Sequence, residues 1–389
     1  MDKQNLLVIT RSFPDKDNKF IGGIFIKEQL KALSKFFDDI YVLVPLPYGI
    51  QLKRKVNFMD YIIPPNINVH FIKYFNFPLF YKIGKKYWVN LEKRAVLKWL
   101  NNNKIVNIDI VHAHYTFPSG AVAVEIKKLL NVPVVITEHA HVSLYPLIAK
   151  KDPIILNTWK YADAVIRVNK KDIELFRQLV PSTNFIYIPN GYTPNRIKYI
   201  NKKYARMRLG IPENVKIIFN LAGLYPYKGH EYLIKAMSLI VKKRDDVVCY
   251  IGGEGPLKNK LQKQIKKLNL QNYVKLIGFV PDEELKYWMN AADLFVLPSL
   301  SESFGIVQLE AMSVGVPVVA TYNGGSEEII ISNDYGLLCP PADSDCLAEK
   351  ILIALNKEWD REKIRKYAEQ FTWEKITKQI LEIYKKLLE

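Results

Sequence analysis

Short apolar, β-branched runs alternate with amphipathic stretches along nearly the whole chain. LLVIT (6–10), IYVLV (40–44), DIVHAH (109–114), PVVIT (133–137), AVIRV (164–168) and FIYIP (185–189) have strand length. After a polar gap the series resumes with KIIFNLA (216–222), DVVCYIGG (246–253), YVKLIG (273–278), DLFVLP (293–298) and VPVVAT (316–321). Between these runs, stretches such as FIKEQLKALSKF and HEYLIKAMSLIVKK carry apolar residues three and four apart, the spacing of a helix with one buried face. Near-continuous apolar strands separated by helices predict parallel sheets covered on both faces, a doubly wound α/β fold. The turn-rich PNGYTPNR and the basic INKKYARMR, near residues 190–203, interrupt the series. Two Rossmann-like domains follow, residues 1–195 and 196–371. The end of the chain, 358–389, reads as two amphipathic helices, the last of which (about 372–389) is expected to pack back on the first domain. Ligands of such sheets bind beyond the carboxyl ends of the strands, so the loops that follow strands are where chemistry is expected.

The 389 residues suit two domains, and the 49% hydrophobic and 24% charged content excludes a mostly disordered chain. The formal charge of +17 is unevenly spread: residues 1–200 carry 29 basic and 15 acidic side chains, residues 201–389 carry 27 and 24. A positive first half concentrates anions such as phosphorylated small molecules or an anionic membrane face. Nucleic acid is not expected as a partner, because no recognition motif accompanies the charge. Cys249, Cys339 and Cys346, without a CxxC, predict a reducing compartment and no disulfide framework. The apolar part of MDKQNLLVIT is too short for a signal peptide, and no uncharged apolar run is long enough to span a bilayer. A cytoplasmic protein is expected, peripheral at most on the inner face of the cell membrane.

The strongest local signal is PSLSESFGIVQLEAMSVGVPVVATYNGGSEEI (298–329). A strand ends, a loop carries Glu302, Phe304 and Gly305, and a helix follows with Glu310. Backbone N–H groups of Phe304, Gly305 and Ile306 at that helix start would form an anion site. A carboxylate beside a phosphate site is placed to accept hydrogen bonds from sugar hydroxyls, although a plain helix cap with a solvated glutamate would leave the same trace. Gly22 and Gly23 likewise stand before a helix, where missing side chains let backbone approach an anion.

The pattern ExFGxxxxEAMxxGxPVVAxxxGGxxE in this stretch resembles the retaining glycosyltransferases of family four, which have the GT-B fold. LAGLYPYKGHEYLIKA (221–236), IGGEGP (251–256), LIGFVPDEEL (276–285) and IPNG (188–191) extend the resemblance through the second half. HAHYTFPSG (112–120) and TEHAH (137–141) are similar to transferases that build surface polysaccharides. The resemblance implies two Rossmann-like domains facing a central cleft, the first for the acceptor and the second for a nucleotide sugar. It implies that Glu302 holds hydroxyls of the donor sugar, Glu310 the ribose, and Lys228 the diphosphate, with N–H bonds from Phe304, Gly305 and Ile306. Phe279 and Val280 would face the base, and His139 would contact the donor sugar as a catalytic residue. Gly223 stands where related chains often have an arginine that shares the diphosphate with the lysine.

Four of the six histidines form two HxH pairs, His112 with His114 and His139 with His141. A metallohydrolase would use such pairs, but no acidic cluster completes a site, and neither Asp15-Lys16-Asp17 nor Asp343-Ser344-Asp345 is expected to hold metal; the latter reads as a helix cap. Residues 53–104 mix aromatics with Lys and Arg, which suits a bilayer interface as well as a half-buried helix. The resulting expectation is a metal-independent transfer from a nucleotide-diphosphate sugar, UDP-sugar favoured, to a lipid-linked or surface glycan, with no cofactor required. The alternatives are a soluble transferase acting on a small sugar or sugar phosphate, and a nucleotide-sugar epimerase of the same fold.

Overall fold

The computed structural model describes residues 4–48, 58–105, 107–140 and 142–389. These fall into two compact units, one of residues 1–191 with 373–389 and one of residues 192–372.

The second unit is built on six strands: β9 (Lys216–Leu221), β10 (Val247–Gly252), β11 (Val274–Gly278), β12 (Leu294–Leu297), β13 (Val318–Thr321) and β14 (Gly336–Cys339). All pair in parallel, in the order β11-β10-β9-β12-β13-β14. Renumbered from β9, that order is 3-2-1-4-5-6, the dinucleotide-fold arrangement in which the direction of winding reverses between the first and fourth strands. The parallel pairing requires crossovers: the helix His230–Ile240 that joins β9 to β10 buries Leu233, Ile234 and Met237, and the helix Ser344–Asn356 that follows the last strand buries Leu347, Ala348 and Ile351, against a core that includes the sheet residues Ile218, Cys249 and Val296.

The first unit repeats the plan. Its strands are β1 (Leu6–Thr10), β2 (Ile40–Pro47), β3 (Tyr61–Ile63), β4 (Ile67–Tyr74), β5 (Ile110–His114), β6 (Val134–Glu138), β7 (Ala164–Arg167) and β8 (Phe185–Tyr187). The order is β3-β4-β2-β1-β5-β6-β7-β8, parallel throughout except that β3 runs antiparallel on the edge beside β4. Here the winding reverses between β1 and β5. Every residue of β1, β5 and β6 is buried: β1 accordingly appears in the sequence as a nearly continuous apolar run, while β5 and β6 also bury the polar side chains of His112, His114, Thr137 and Glu138 toward their carboxyl ends.

The helix Trp373–Leu388 belongs to this first unit and packs on helix Ile24–Leu33, with Trp373, Ile376, Ile380 and Tyr384 in the same core cluster as Leu6 and Val8. Apolar residues three and four apart on one face of a 16-residue helix account for that docking. Among the described residues no helix is long and apolar enough to cross a membrane.

Candidate functional site

In the second unit the reversal point lies beyond the ends of β9 and β12, and the loops leaving those two strands bring Lys228 and Glu302 together. The loop after β9 passes Gly223 and turns through Pro226–Lys228 into helix His230–Ile240. Lys228 Nζ donates to Glu302 Oε1 at 2.6 Å, and Ser299 Oγ donates to the same oxygen at 2.8 Å. The lysine side chain is 19% exposed and the glutamate 11%, so the pair is largely withdrawn from water. Backbone bonds hold both loops in place: Leu300 N donates to Tyr227 O (2.8 Å) and Glu302 N to Asn323 O (2.9 Å).

Gly229 makes this approach possible. Its φ is +68°, and a Cβ there would lie 2.0 Å from Pro298 O. Gly210, at φ +64°, shares the left-handed backbone but has nothing within 4 Å of its Cβ position. Gly210→Ala therefore costs conformational strain alone, about 1 kcal/mol, whereas Gly229→Ala adds a backbone collision and is expected to cost about 2 kcal/mol more. Urea midpoints of the two variants at an unchanged denaturant slope measure the difference; equal losses would show that the two loops are not pressed together.

Helix Ile306–Met312 starts after Gly305 (φ +85°), and Gly325 lies so close to Phe304 that a Cβ would sit 2.6 Å from its backbone N. Asn323 fixes that second approach through an Asx turn, its Oδ1 accepting from Gly325 N (3.0 Å) and Ser326 N (2.9 Å). Phe304 is buried and packs near Phe371, while Ile306 is half-buried. Glu310 is buried and ion-paired with Arg196, whose other terminal nitrogen donates to Asp282 at 2.7 Å. Arg196 carries no motif in the sequence; it sits in the turn PNR and was not among the residues singled out there. Neither Ser299 nor Asn323 was singled out, although NGG before Ser-Glu-Glu is a recognisable Asx-turn signal. After β11, Phe279 is 44% exposed, whereas Val280 is buried against Gly252. His230, at the start of the helix that follows Lys228, is buried, and burial, then the charge of Lys228, pushes its pKa down to about 4.

In the first unit the reversal point gathers Gly23 and the ends of β5 and β6. Gly23 has φ +80°, caps helix Ile24–Leu33, and would place a Cβ 2.4 Å from Ser12 O; at Gly22 a Cβ would strike the Phe20 ring and Ser12 Oγ. His112 and His114 point to the same side of β5, as alternate strand residues must, and their rings stack with centroids 4.6 Å apart. His114 stacks in turn on His139 (5.2 Å), with His114 Nδ1 and His139 Nε2 sharing a hydrogen bond of 2.9 Å. Beneath them His112 bonds to Tyr384 of the last helix and, through Nε2, to Thr137 Oγ1 at 2.7 Å. Phe25 and Tyr115 close over His139. Burial lowers all three pKa values, that of His112 to about 3 and those of His114 and His139 well below the ordinary range, helped for His139 by His112, Arg167 and Arg11. The column is therefore neutral. Glu138 turns its carboxylate to backbone, accepting from Thr116 N (2.8 Å) and Ala140 N (2.5 Å). His141 lies outside the described residues, as do residues 53–57 of the basic aromatic segment.

Among the described residues no group of three or more His, Cys, Asp or Glu is arranged to hold a metal ion. Asp343 accepts from Cys346 N at 2.9 Å, capping helix Ser344–Asn356.

Residues 201–371 match the family model for glycosyl transferases group 1, and residues 22–196 match that for glycosyltransferase family 4. The glycosyltransferase MJ1607 of Methanocaldococcus jannaschii is 27% identical over 403 aligned residues, covering 99% of this chain and 98% of that protein. N-acetyl-alpha-D-glucosaminyl L-malate synthase of Bacillus anthracis is 27% identical over 289 residues, 72% of this chain and 74% of its own. The crystal structure of Anabaena Alr3699/HepE in complex with UDP-glucose superposes with a TM-score of 0.76 at 22% identity, over 98% of this chain and 100% of that one.

Proposed function

Since the chain belongs to the GT-B glycosyltransferases of the family 4, group 1 type, we propose that it moves a sugar from a UDP-sugar to a hydroxyl of a lipid-linked glycan, with retention of anomeric configuration. The observation that carries this reading is the Lys228–Glu302 pair at the reversal point of the second sheet, where such folds bind nucleotides. Without donor the two charges neutralise each other. A diphosphate arriving at Lys228 competes for the ammonium, and the released carboxylate of Glu302 is then free to accept hydrogen bonds from sugar hydroxyls. The donor thus builds its own sugar site by exchanging one ion pair for another.

In this reading the N–H groups of Phe304, Gly305 and Ile306 add to the charge on Lys228, Glu310 accepts from the ribose, and Arg196 holds Glu310 at the correct angle. Phe279 offers an exposed ring to the base, with Val280 packed behind it. Gly22, Gly23 and His139 serve the same reaction from the first unit. His139, kept neutral by burial, accepts or donates one hydrogen bond without bringing charge to the sugar. The bond from C1 to the phosphate oxygen breaks, the acceptor oxygen bonds to C1 on the same face, and its proton passes to the departing diphosphate. The protein's contribution is positioning, and stabilisation of the leaving phosphate. UDP-glucose bound in Alr3699/HepE supports the choice of base. For the acceptor, support comes from the many exposed apolar side chains among lysines in the first unit, Phe75, Phe77, Leu79, Ile83 and Tyr87 among them, an arrangement suited to an anionic bilayer face. A second reading, a soluble acceptor of small size, is favoured by the relative named for L-malate.

Thermal unfolding against a panel of nucleoside diphosphates and nucleotide sugars tests the donor. Ligand at a hundredfold excess over Kd stabilises by about 2.7 kcal/mol, roughly 5–10 °C for a unit of this size. A shift with uridine ligands alone is expected. A flat panel together with no release of UDP from UDP-sugars removes the reading.

A further inference from the structure

Two cavities in the first unit lie in series, and neither is accounted for by the donor chemistry. The smaller, of 330 Å³, opens at the carboxyl ends of β1, β5 and β6, where Arg11, Tyr115 and Glu138 line it together with Lys82, Lys85 and Lys150. The larger, of 610 Å³, shares Lys82, Lys85 and Asp152 with it and continues between helices Lys85–Asn102, Ala121–Leu130 and Pro153–Tyr161, over Ile83, Val89, Val124 and Ile154.

The charges in the smaller cavity do not balance. Four cations, Arg11, Lys82, Lys85 and Lys150, face two carboxylates: Glu138, which accepts from two backbone N–H groups and keeps its charge, and Asp152, which pairs with Lys85 (2.5 Å) and accepts from Ile154 N at the start of its helix (3.0 Å). Arg11 lies over the Tyr115 ring at 4.1 Å and donates to Tyr81 Oη at 3.2 Å, contacts that steer it without neutralising it. Lys82 and Lys150 make no ion pair among the described residues. The chamber therefore holds cations in excess, in a recess where field lines concentrate. The larger chamber presents mainly apolar surface, and its mouth carries Ile83 (76% exposed) and Tyr87 (65%).

We infer that the two chambers form one acceptor site for an amphiphile whose phosphate sits among Arg11, Lys82 and Lys150 and whose apolar chain runs over Ile83 and Tyr87. A free sugar phosphate would leave the second chamber unused, and a neutral lipid would leave the cations unmatched. A glycan joined through phosphate to a long chain fills both, and its sugar end would then lie at the strand ends beside Tyr115, Glu138 and their neighbour His139. The inference rests on the transferase reading above and narrows its acceptor to long-chain phosphates.

Titration calorimetry of the whole protein with geranyl phosphate, geraniol and inorganic phosphate tests it, with UDP-glucose titrated into the same preparation. Geranyl phosphate is expected to bind at least tenfold tighter than either fragment. Lys82→Glu with Lys150→Glu, both at exposed positions, should cost tenfold or more in that affinity, and Ile83→Glu should reduce geranyl phosphate to the level of inorganic phosphate. Geranyl phosphate binding no better than inorganic phosphate, or binding unaffected by the double substitution, overturns the site. Capture by phosphatidylglycerol vesicles without affinity for geranyl phosphate also overturns it, leaving surface attachment in its place. If UDP-glucose binds while geranyl phosphate does not, only this inference falls; if no UDP-sugar of the panel binds either and no UDP is released, the UDP-sugar reading falls with it.

Discussion

Lys228→Ala is expected to lower transfer by a factor of about 10² to 10³, the usual effect of removing one group that stabilises charge on a leaving oxyanion. The side chain is the nearest cation to Glu302 and sits in the loop that leaves β9 at the reversal point. No arginine stands at position 223 to share the diphosphate, so the loss has no local substitute. Glu302→Gln should be damaging for a different reason. The amide keeps the shape and the bond from Ser299, but it no longer presents a full negative charge to sugar hydroxyls. The two variants should therefore separate: Lys228→Ala weakens binding of UDP itself, while Glu302→Gln binds UDP nearly normally and loses turnover with the sugar attached. Initial rates and UDP affinities of both decide the matter. Near-normal turnover in both would remove Lys228 and Glu302 from the site.

Acidification should destabilise the first unit at a pH well above the ordinary carboxylate range. His112, His114 and His139 are held neutral in the folded state with pKa values pushed down by burial, while in the unfolded chain each takes a proton near pH 6.5. The unfolded state thus binds more protons below that pH, and stability falls as pH falls, from about 6.5 toward the depressed folded values. From pH 6.5 to 5.5 each histidine costs about 1 kcal/mol. Glu92 works in the opposite direction. Buried, with its pKa raised to about 7, it holds a proton in the folded state that the unfolded chain releases above about 4.5, and so returns about 1 kcal/mol over the same interval. A net loss of roughly 2 kcal/mol corresponds to about 4–8 °C in Tm. Calorimetric scans across this range, with histidine ring resonances of the folded protein followed in parallel, provide the check. Three histidine signals should stay unshifted down to pH 5. Their titration near pH 6.5, or a flat Tm, would mean that the column is open to water.

The parallel strands were legible because burial on both faces leaves an unbroken apolar run, as in β1 and β12. β4 was not. Only its alternate positions Ile67, Val69 and Phe71 are fully buried among its first five, and Asn68, His70 and Lys73 between and beyond them made the stretch read as a basic aromatic segment. β14 is four residues long and was also passed over. In the candidate site, Lys228 and Glu302 each stand out within a local pattern, but their pairing depends on β9 lying next to β12, a property of sheet order that no window of sequence contains. The same holds for Arg196 with Glu310, 114 residues apart, and for Tyr384 with His112, 272 apart. The HxH spacing places two rings on one side of a strand; what they stack on comes from another strand.

The helix Trp373–Leu388 completes the first unit from the far end of the chain, and this bears on how the protein is made. At roughly 5–20 residues per second, synthesis of the 181 residues from 192 to 372 takes about 9–36 seconds. For most of that interval the first sheet has left the ribosome, yet the surface that will receive Trp373, Ile376, Ile380 and Tyr384 remains bare. The intervening unit has every strand it needs and is free to fold meanwhile. The unit begun first is therefore the one finished last, and its uncovered apolar face is the surface that a chaperone would have to shield on the nascent chain.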